Sequence, residues 1–335
     1  MTADLEVYAA HYDDFGRRWA HGTSPLYEEW AVGIADDAEA LAHIVALPRL
    51  KRQPNLVFAC ARWLGCPLTG YRDFREWFLA HVDDVAALAS TRATQTNEAT
   101  RCATLLPVLS RIDGPVALLE TGTAAGLCLH PDRYSYRYAT PDGPRALDPA
   151  SGPSEVVLDC RLDDAAAAPE RMPEVVWRAG IDLSPIDPAD SDAVAWLANL
   201  IWPGPDHDTR VARLRGAAAI AASDRARVVA GDIREQLEPL VAEAPADATL
   251  VVFHSAVLLY LDADGRREFA ATIDRVRAGR DLVWLSNEGI GTLPVYHPPV
   301  PDALDTHHRF VQTVDTRPVA LAGQHGATYE VLPFR

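Results

Sequence analysis

Acidic residues close three short apolar runs in this chain, and glycines follow the first of them. Val116-Ala117-Leu118-Leu119 leads into Glu120-Thr121-Gly122-Thr123-Ala124-Ala125-Gly126. A strand, then a glycine-spaced turn, then a helix lets backbone approach a ligand closely and offers free N–H groups at the helix start. The spacing is E-x-G-x-x-x-G and not G-x-G-x-x-G, because position 124 is alanine and a last glycine would fall on Leu127. Asp182, in Gly180-Ile181-Asp182-Leu183-Ser184-Pro185, closes a second run and is placed to accept the two hydroxyls of a ribose. Asp232, in Ala230-Gly231-Asp232-Ile233, closes a third. It could accept an adenine amino group, with Ile233 against the ring. Taken singly, each aspartate is an ordinary helix cap or turn residue. Glu120, Asp182 and Asp232 at three consecutive strand ends point to a ligand at that edge of an open α/β sheet.

Two further strand ends carry polar groups. Phe253-His254-Ser255 ends the fourth run, and His254 could be a general base, a role that imidazole side chains often fill. A histidine hydrogen-bonded within the sheet edge is the competing reading. Ser286-Asn287-Glu288-Gly289 ends the fifth run, where Asn287 and Glu288 could hold an amine or hydroxyl of a substrate, or simply cap a solvated loop. No metal is expected. His307-His308 and Pro205-Asp206-His207-Asp208 lack the i, i+4 spacing of a helical zinc site and a matching third ligand.

These residues need a scaffold, and the texture of the chain changes near residue 112. Before it the apolar spacing is helical: Ser24-Pro25 caps one stretch, Pro54 opens another, and Phe74, Trp77, Phe78, His81, Val82, Val85 and Leu88 form one stripe. A last helix is expected from about Asn97 to Ile112. Residues 1–112 thus read as an all-helical cap. After residue 113, runs at 116–119, 175–177, 227–229, 249–253 and 282–285 alternate with helical stretches, which predicts a doubly wound, mostly parallel sheet over 113–335. Residues 134–172, with Tyr134, Tyr136 and Tyr138 alternating, read as an insertion carrying a small antiparallel hairpin. Phe310–Val314 and Ala327–Leu332 read as a C-terminal antiparallel hairpin joined by a short turn.

Composition narrows the function classes. The formal charge is −16 and Lys51 is the only lysine, so no basic surface for nucleic acid is expected. Asp4, Glu6, Asp13 and Asp14 occupy the place of a signal peptide's basic and apolar regions, and no run approaches the ~20 apolar residues of a membrane span. The five cysteines include no C-x-x-C, so a reducing cytoplasm is the expected setting. Oligomeric state has no readable signature.

The series ETGTAAG, GIDLSP and AGDI resembles motifs I, II and III of class I S-adenosylmethionine (SAM)-dependent methyltransferases, over residues 113–335 and with Ala124 replacing the second glycine of motif I. The whole chain, with TNEATR, FHSAVLLYL and WLSNEG, also resembles an uncharacterised bacterial family of this fold. The methyltransferase resemblance implies a Rossmann-like core with SAM as cofactor. It implies Glu120 and Gly122 near the methionine part, Asp182 at the ribose, and Asp232 and Ile233 at the adenine, with Gly126 of the same motif also binding the cofactor. Arg101 could meet the SAM carboxylate, or be a surface charge on a helix capped by Asn97. The expected reaction is methyl transfer to a small molecule, with His254, Asn287 and Glu288 as candidate catalytic residues. The amino-group methyltransferase signature is absent. Two alternatives share the motifs: a SAM-consuming cyclase or lyase, and a non-catalytic binding protein. A dinucleotide dehydrogenase fits poorly, because Asp182 lies 62 positions after Glu120, against ~20 in that fingerprint.

Overall fold

A computed structural model describes residues 3–300 and 304–333. Its helices are α1 (Ala3–Asp14), α2 (Pro25–Ala35), α3 (Ala38–Ala46), α4 (Pro54–Trp63), α5 (Tyr71–Ala80), α6 (Val82–Thr91), α7 (Cys102–Leu109), α8 (Ser191–Leu200), α9 (His207–Ser223), α10 (Ile233–Val241) and α11 (Ala263–Arg277). Its strands are β1 (Pro115–Thr121), β2 (Ser135–Thr140), β3 (Gly143–Leu147), β4 (Val157–Leu162), β5 (Glu174–Asp182), β6 (Arg227–Ala230), β7 (Thr249–Ser255), β8 (Leu282–Glu288), β9 (Arg309–Val314), β10 (Arg317–Gly323) and β11 (Thr328–Val331).

The chain divides into two units. The first ends at Thr96 but also includes Ser191–Arg215, so it is discontinuous in sequence. The second runs from Asn97 to Asp190 and resumes at Gly216. The division expected at 112/113 therefore falls inside the second unit, and the helix expected over 97–112 lies in it as a 3₁₀ turn (Ala99–Arg101) followed by α7.

The first unit is helical. The Ser24 hydroxyl accepts from the Tyr27 amide, and Pro25 takes the first helical position of α2, where its missing N–H costs nothing. An aromatic core of Tyr12, Tyr27, Trp30, Phe58, Phe74 and Phe78 is almost wholly buried, with Trp30 stacked on Phe74 at 4.3 Å between ring centroids. The stripe over 74–88 is two helices and not one. His81 leaves the helical conformation (φ −124°, ψ 19°), and its Nδ1 donates to the Trp77 carbonyl, ending α5 before α6 begins.

The second unit is mixed α/β around an eleven-stranded sheet in the order β3-β2-β4-β11-β10-β9-β8-β7-β1-β5-β6. Among the described residues six ladders run parallel and four antiparallel. The five predicted runs all form strands, and together they make the contiguous parallel block β6-β5-β1-β7-β8. Chain order reverses between β1 and β7. A core of Leu119, Ile181, Leu237, Val252, Phe269, Ile273 and Trp284 packs α10 and α11 on this block.

Three features differ from the sequence reading. No α-helix follows the glycine turn; residues 127–129 and 131–133 are 3₁₀ turns. Pro131 explains the change: it donates no hydrogen bond and disfavours α conformation at His130. The 134–172 insertion does contain the antiparallel pair β2–β3, but β4 pairs parallel with both β2 and β11, so the insertion extends the main sheet. The C-terminus is a three-stranded meander, β9-β10-β11, and not a hairpin. β10 is interrupted by Pro318 and an irregular register before Ala320, which hides its alternation in the sequence.

Candidate functional site

In an open α/β sheet, ligands bind beyond the carboxyl ends of the strands where the order reverses. Here that place lies between β1 and β7, and the loop leaving β1 is built around it. Gly122 (φ 74°), Ala124 (φ 48°) and Gly126 (φ 71°) all take left-handed conformations. The amides of Gly122 and Thr123 donate to the Ile181 carbonyl, at 2.7 and 3.2 Å. Asp182 then grips the turn. Its Oδ2 accepts from the Ala124 amide and its Oδ1 from the Ser184 amide, each at 2.8 Å. The Ala125 amide donates to Asn97 Oδ1 at 2.9 Å. Asn97 Nδ2 is buried beside this loop with no partner, and such an orphaned donor calls for a ligand or water.

Left-handed backbone suits glycine and penalises alanine. At Gly122 a Cβ would also sit 2.2 Å from Val257 Cγ2. Gly122→Ala is therefore expected to lower stability by about 2 kcal/mol or more. Ala124→Gly, two residues on, relieves a left-handed alanine and is expected to be neutral or stabilising by up to about 1 kcal/mol. Denaturant midpoints of the two variants should move in opposite directions, or only the first should move. A loss at both positions would show that the turn is not held as described.

Glu120 is 7% exposed and accepts from the Thr123 hydroxyl at 2.8 Å. Burial, with the Cys128 thiol adding to it, pushes its carboxyl well above the usual range. Arg101 is also buried. Its Nε donates to the Gln324 carbonyl at 2.9 Å, its Nη1 to the Ser255 carbonyl at 3.4 Å, and its guanidinium lies over Phe310. It is a buried link between segments and not a surface charge. Asp232 has a local partner already. It caps α10 through the Arg234 amide and forms a two-pronged ion pair with the Arg234 guanidinium, which lowers its pKa. Ile233 is 7% exposed and belongs to the core beneath α10, leaving little surface for a ring.

His254 and Glu288 form one buried network. His254 Nδ1 lies 2.7 Å from Glu288 Oε1, and His254 Nε2 accepts from the Trp284 indole N–H at 2.9 Å. The ε nitrogen is thus the acceptor and the δ nitrogen the donor. Glu288 Oε1 also accepts from the Val257 and Leu258 amides, at 2.8 and 3.0 Å. Both side chains are 0% exposed. Neither ring nitrogen is open to take a proton from a substrate. The network instead fixes the turn after β7, whose Val257 packs against Gly122.

Asn287 projects to the other face of β8, opposite Ser255 and Gln312 in register. Gln312 Nε2 donates to Asn287 Oδ1 at 3.0 Å, and the Tyr329 hydroxyl donates to Gln312 Oε1 at 2.9 Å. The three candidate catalytic residues therefore divide between two faces of the sheet. Asn97, Ser255 and Gln312 join the site without having been singled out as site residues. Asn97 had a signal, its place in the turn that leads to Arg101, but it read more naturally as a helix cap. Gln312 had none, because its strand pairs with β8 only in three dimensions.

Among the described residues no group of His, Cys, Asp and Glu could hold a metal ion, and no helix is long and apolar enough to cross a membrane. Residues 9–330 match the model of a family described as "Uncharacterized protein conserved in bacteria (DUF2332)", and the chain belongs to that family. No curated protein and no solved structure matches the chain.

Proposed function

We propose that this chain, as a member of that bacterial family, binds SAM at the β1–β7 edge through a Rossmann-like methyltransferase core and uses it on a small-molecule acceptor. The observation that carries this reading is the left-handed turn 122–126 held by Asp182 where the strand order reverses. The block β6-β5-β1-β7-β8 repeats the first five positions of the doubly wound order 3-2-1-4-5-6. Missing the helix after β1 also matters. A pyrophosphate is bound largely by a helix N-terminus, and residues 127–133 offer none. A nucleoside without phosphates loses nothing by that, which favours SAM over a dinucleotide.

The residues present fit such a ligand. Asp182 spends one lone pair of each oxygen on the loop, and a carboxylate has about four to offer, so two remain for ribose hydroxyls. Asn97 Nδ2 is a free donor at the turn. Buried Glu120 can accept from an ammonium, which would help hold the carboxyl ionised. Bound SAM supplies an activated methyl on a sulfonium, so the protein's task is to align the acceptor and exclude water. His254 and Glu288 act as positioning residues for the 256–260 turn. Asn287 and Ser255 lie on the face that carries Glu120, with Asn287 held by the fully engaged Gln312 amide.

Incubating the protein with methyl-labelled SAM and a bacterial small-molecule extract tests the reaction. S-adenosylhomocysteine with label moved to an extract component is the expected result. Methylthioadenosine would favour elimination or cyclisation instead. The sealed state of His254 favours a second reading, SAM binding without turnover, and that reading predicts neither product.

A further inference from the structure

Asp182 and the turn after β1 put the proposed cofactor on the β5 side of the point where strand order reverses. The β7 and β8 side of that edge is left for the acceptor. The polar side chains at its strand ends are already engaged. His254 and Glu288 are sealed in one network, and Asn287, 1% exposed, is bonded to Gln312 and Ser255. The segments that follow, 256–261 after β7 and 289–293 after β8, contain no charged residue. The side chains they expose are Leu259, Tyr260 and Ile290.

Leu259 and Tyr260 stand on a pinned turn. Glu288 Oε1 accepts from the Val257 and Leu258 amides on one side. On the other, Arg266 in the first turns of α11 donates through Nε to the Leu258 and Leu261 carbonyls, at 2.9 and 3.0 Å. The Tyr260 and Leu261 amides close the turn on the Val257 and Leu258 carbonyls, each at 3.1 Å. Val257 packs toward Gly122 and Leu258 enters the core, while Leu259 stays 49% exposed and Tyr260 80%. A single exposed apolar side chain is ordinary. Two held rigidly beside a ligand edge, with a third on the loop of the neighbouring strand, make an apolar surface of the kind that marks a binding site. Paired strands lie about 4.8 Å apart, so one molecule can span both loops.

We infer that the acceptor is an uncharged molecule with an aromatic body, and that Leu259, Tyr260 and Ile290 select it. A charged acceptor would lose hydration against these segments without gaining a partner. A flat ring can stack on Tyr260 and lie against the two aliphatic side chains. Because the turn is fixed before the ligand arrives, little ordering opposes binding. The role of acceptor rests on the proposed SAM-dependent reaction; the apolar surface does not.

N-phenyl-1-naphthylamine, an uncharged aromatic fluorophore that brightens in apolar surroundings, is the probe. Titrated into the full-length protein, it should bind saturably with a Kd below about 100 µM. The double variant Leu259→Ser/Tyr260→Ser should weaken it at least tenfold, with circular dichroism and SAM affinity unchanged. Tyr260→Phe keeps the ring and should bind as the parent does. Leu50→Ser removes a leucine as exposed as Tyr260 from the helical unit and should change nothing. Parent-like binding of the probe to the double variant would overturn the inference, as would an equal loss at Leu50→Ser. So would a double variant that turns a dimer into monomers on sedimentation, because the turn would then serve a second copy of the chain. Failure of the parent to bind SAM would sink the cofactor reading alone, since the probe reports the apolar site without SAM.

Discussion

Glu288→Ala is expected to lower the unfolding free energy by about 3 kcal/mol or more, because it strands three donors at once, two of them fully buried. His254 Nδ1, the Val257 amide and the Leu258 amide all converge on Glu288 Oε1. The His254 and Glu288 side chains are fully buried, so solvent is poorly placed to replace the lost acceptor. Glu288→Gln keeps an acceptor oxygen at that point and should lose less. Denaturant unfolding followed by circular dichroism reads both variants. The loss should extend to ligand affinity, because the turn fixed by Glu288 carries Val257, which packs on Gly122. Full stability in Glu288→Ala, with activity alone abolished, would return His254 and Glu288 to the catalytic roles that their strand-end positions first suggested.

Asp182→Ala should weaken binding of SAM and S-adenosylhomocysteine by about 10- to 100-fold, the loss of one to two hydrogen bonds to a charged group. Two effects combine. On the proposed binding mode the ribose hydroxyls would lose their acceptor, and the Ala124 amide loses the oxygen that accepts from it. Asp182→Asn keeps one oxygen and should fall between the two. Asp232→Ala makes an informative contrast. Asp232 is bound up with Arg234 and with the start of α10, so its removal should cost helix stability of about 1 kcal/mol and change affinity less. Equal losses of affinity at the two positions would mean that Arg234 swings away on binding and frees the Asp232 carboxylate.

The parallel block was legible because its strands are short apolar runs, all but β7 closed by an acid, and because α8 to α11 separate β5, β6, β7 and β8 at helical spacing. The turn after β1 was legible from its glycines: Gly122 and Gly126 mark the left-handed backbone, and Ala124 follows them into it. What stayed hidden depends on contacts between distant segments. The sheet continues through β9, β10, β11, β4 and β2, and parallel pairing of β4 with β11 joins residues 161 and 328, a registration that no local pattern records. The helix expected after β1 was overridden by one residue, Pro131. His254 and Glu288 lie 34 positions apart, and spacing along two strands could not tell a sealed pair from an open base. Asn97 was visible as a cap candidate, yet its amide serves the Ala125 backbone instead.

Calorimetric titration of the purified protein with SAM, and separately with S-adenosylhomocysteine and NAD, tests the central claim most directly. Saturable micromolar binding of both adenosyl ligands, with NAD inert, is the predicted result. Folded protein free of co-purified ligand that binds neither adenosyl compound, or that prefers NAD, would contradict it.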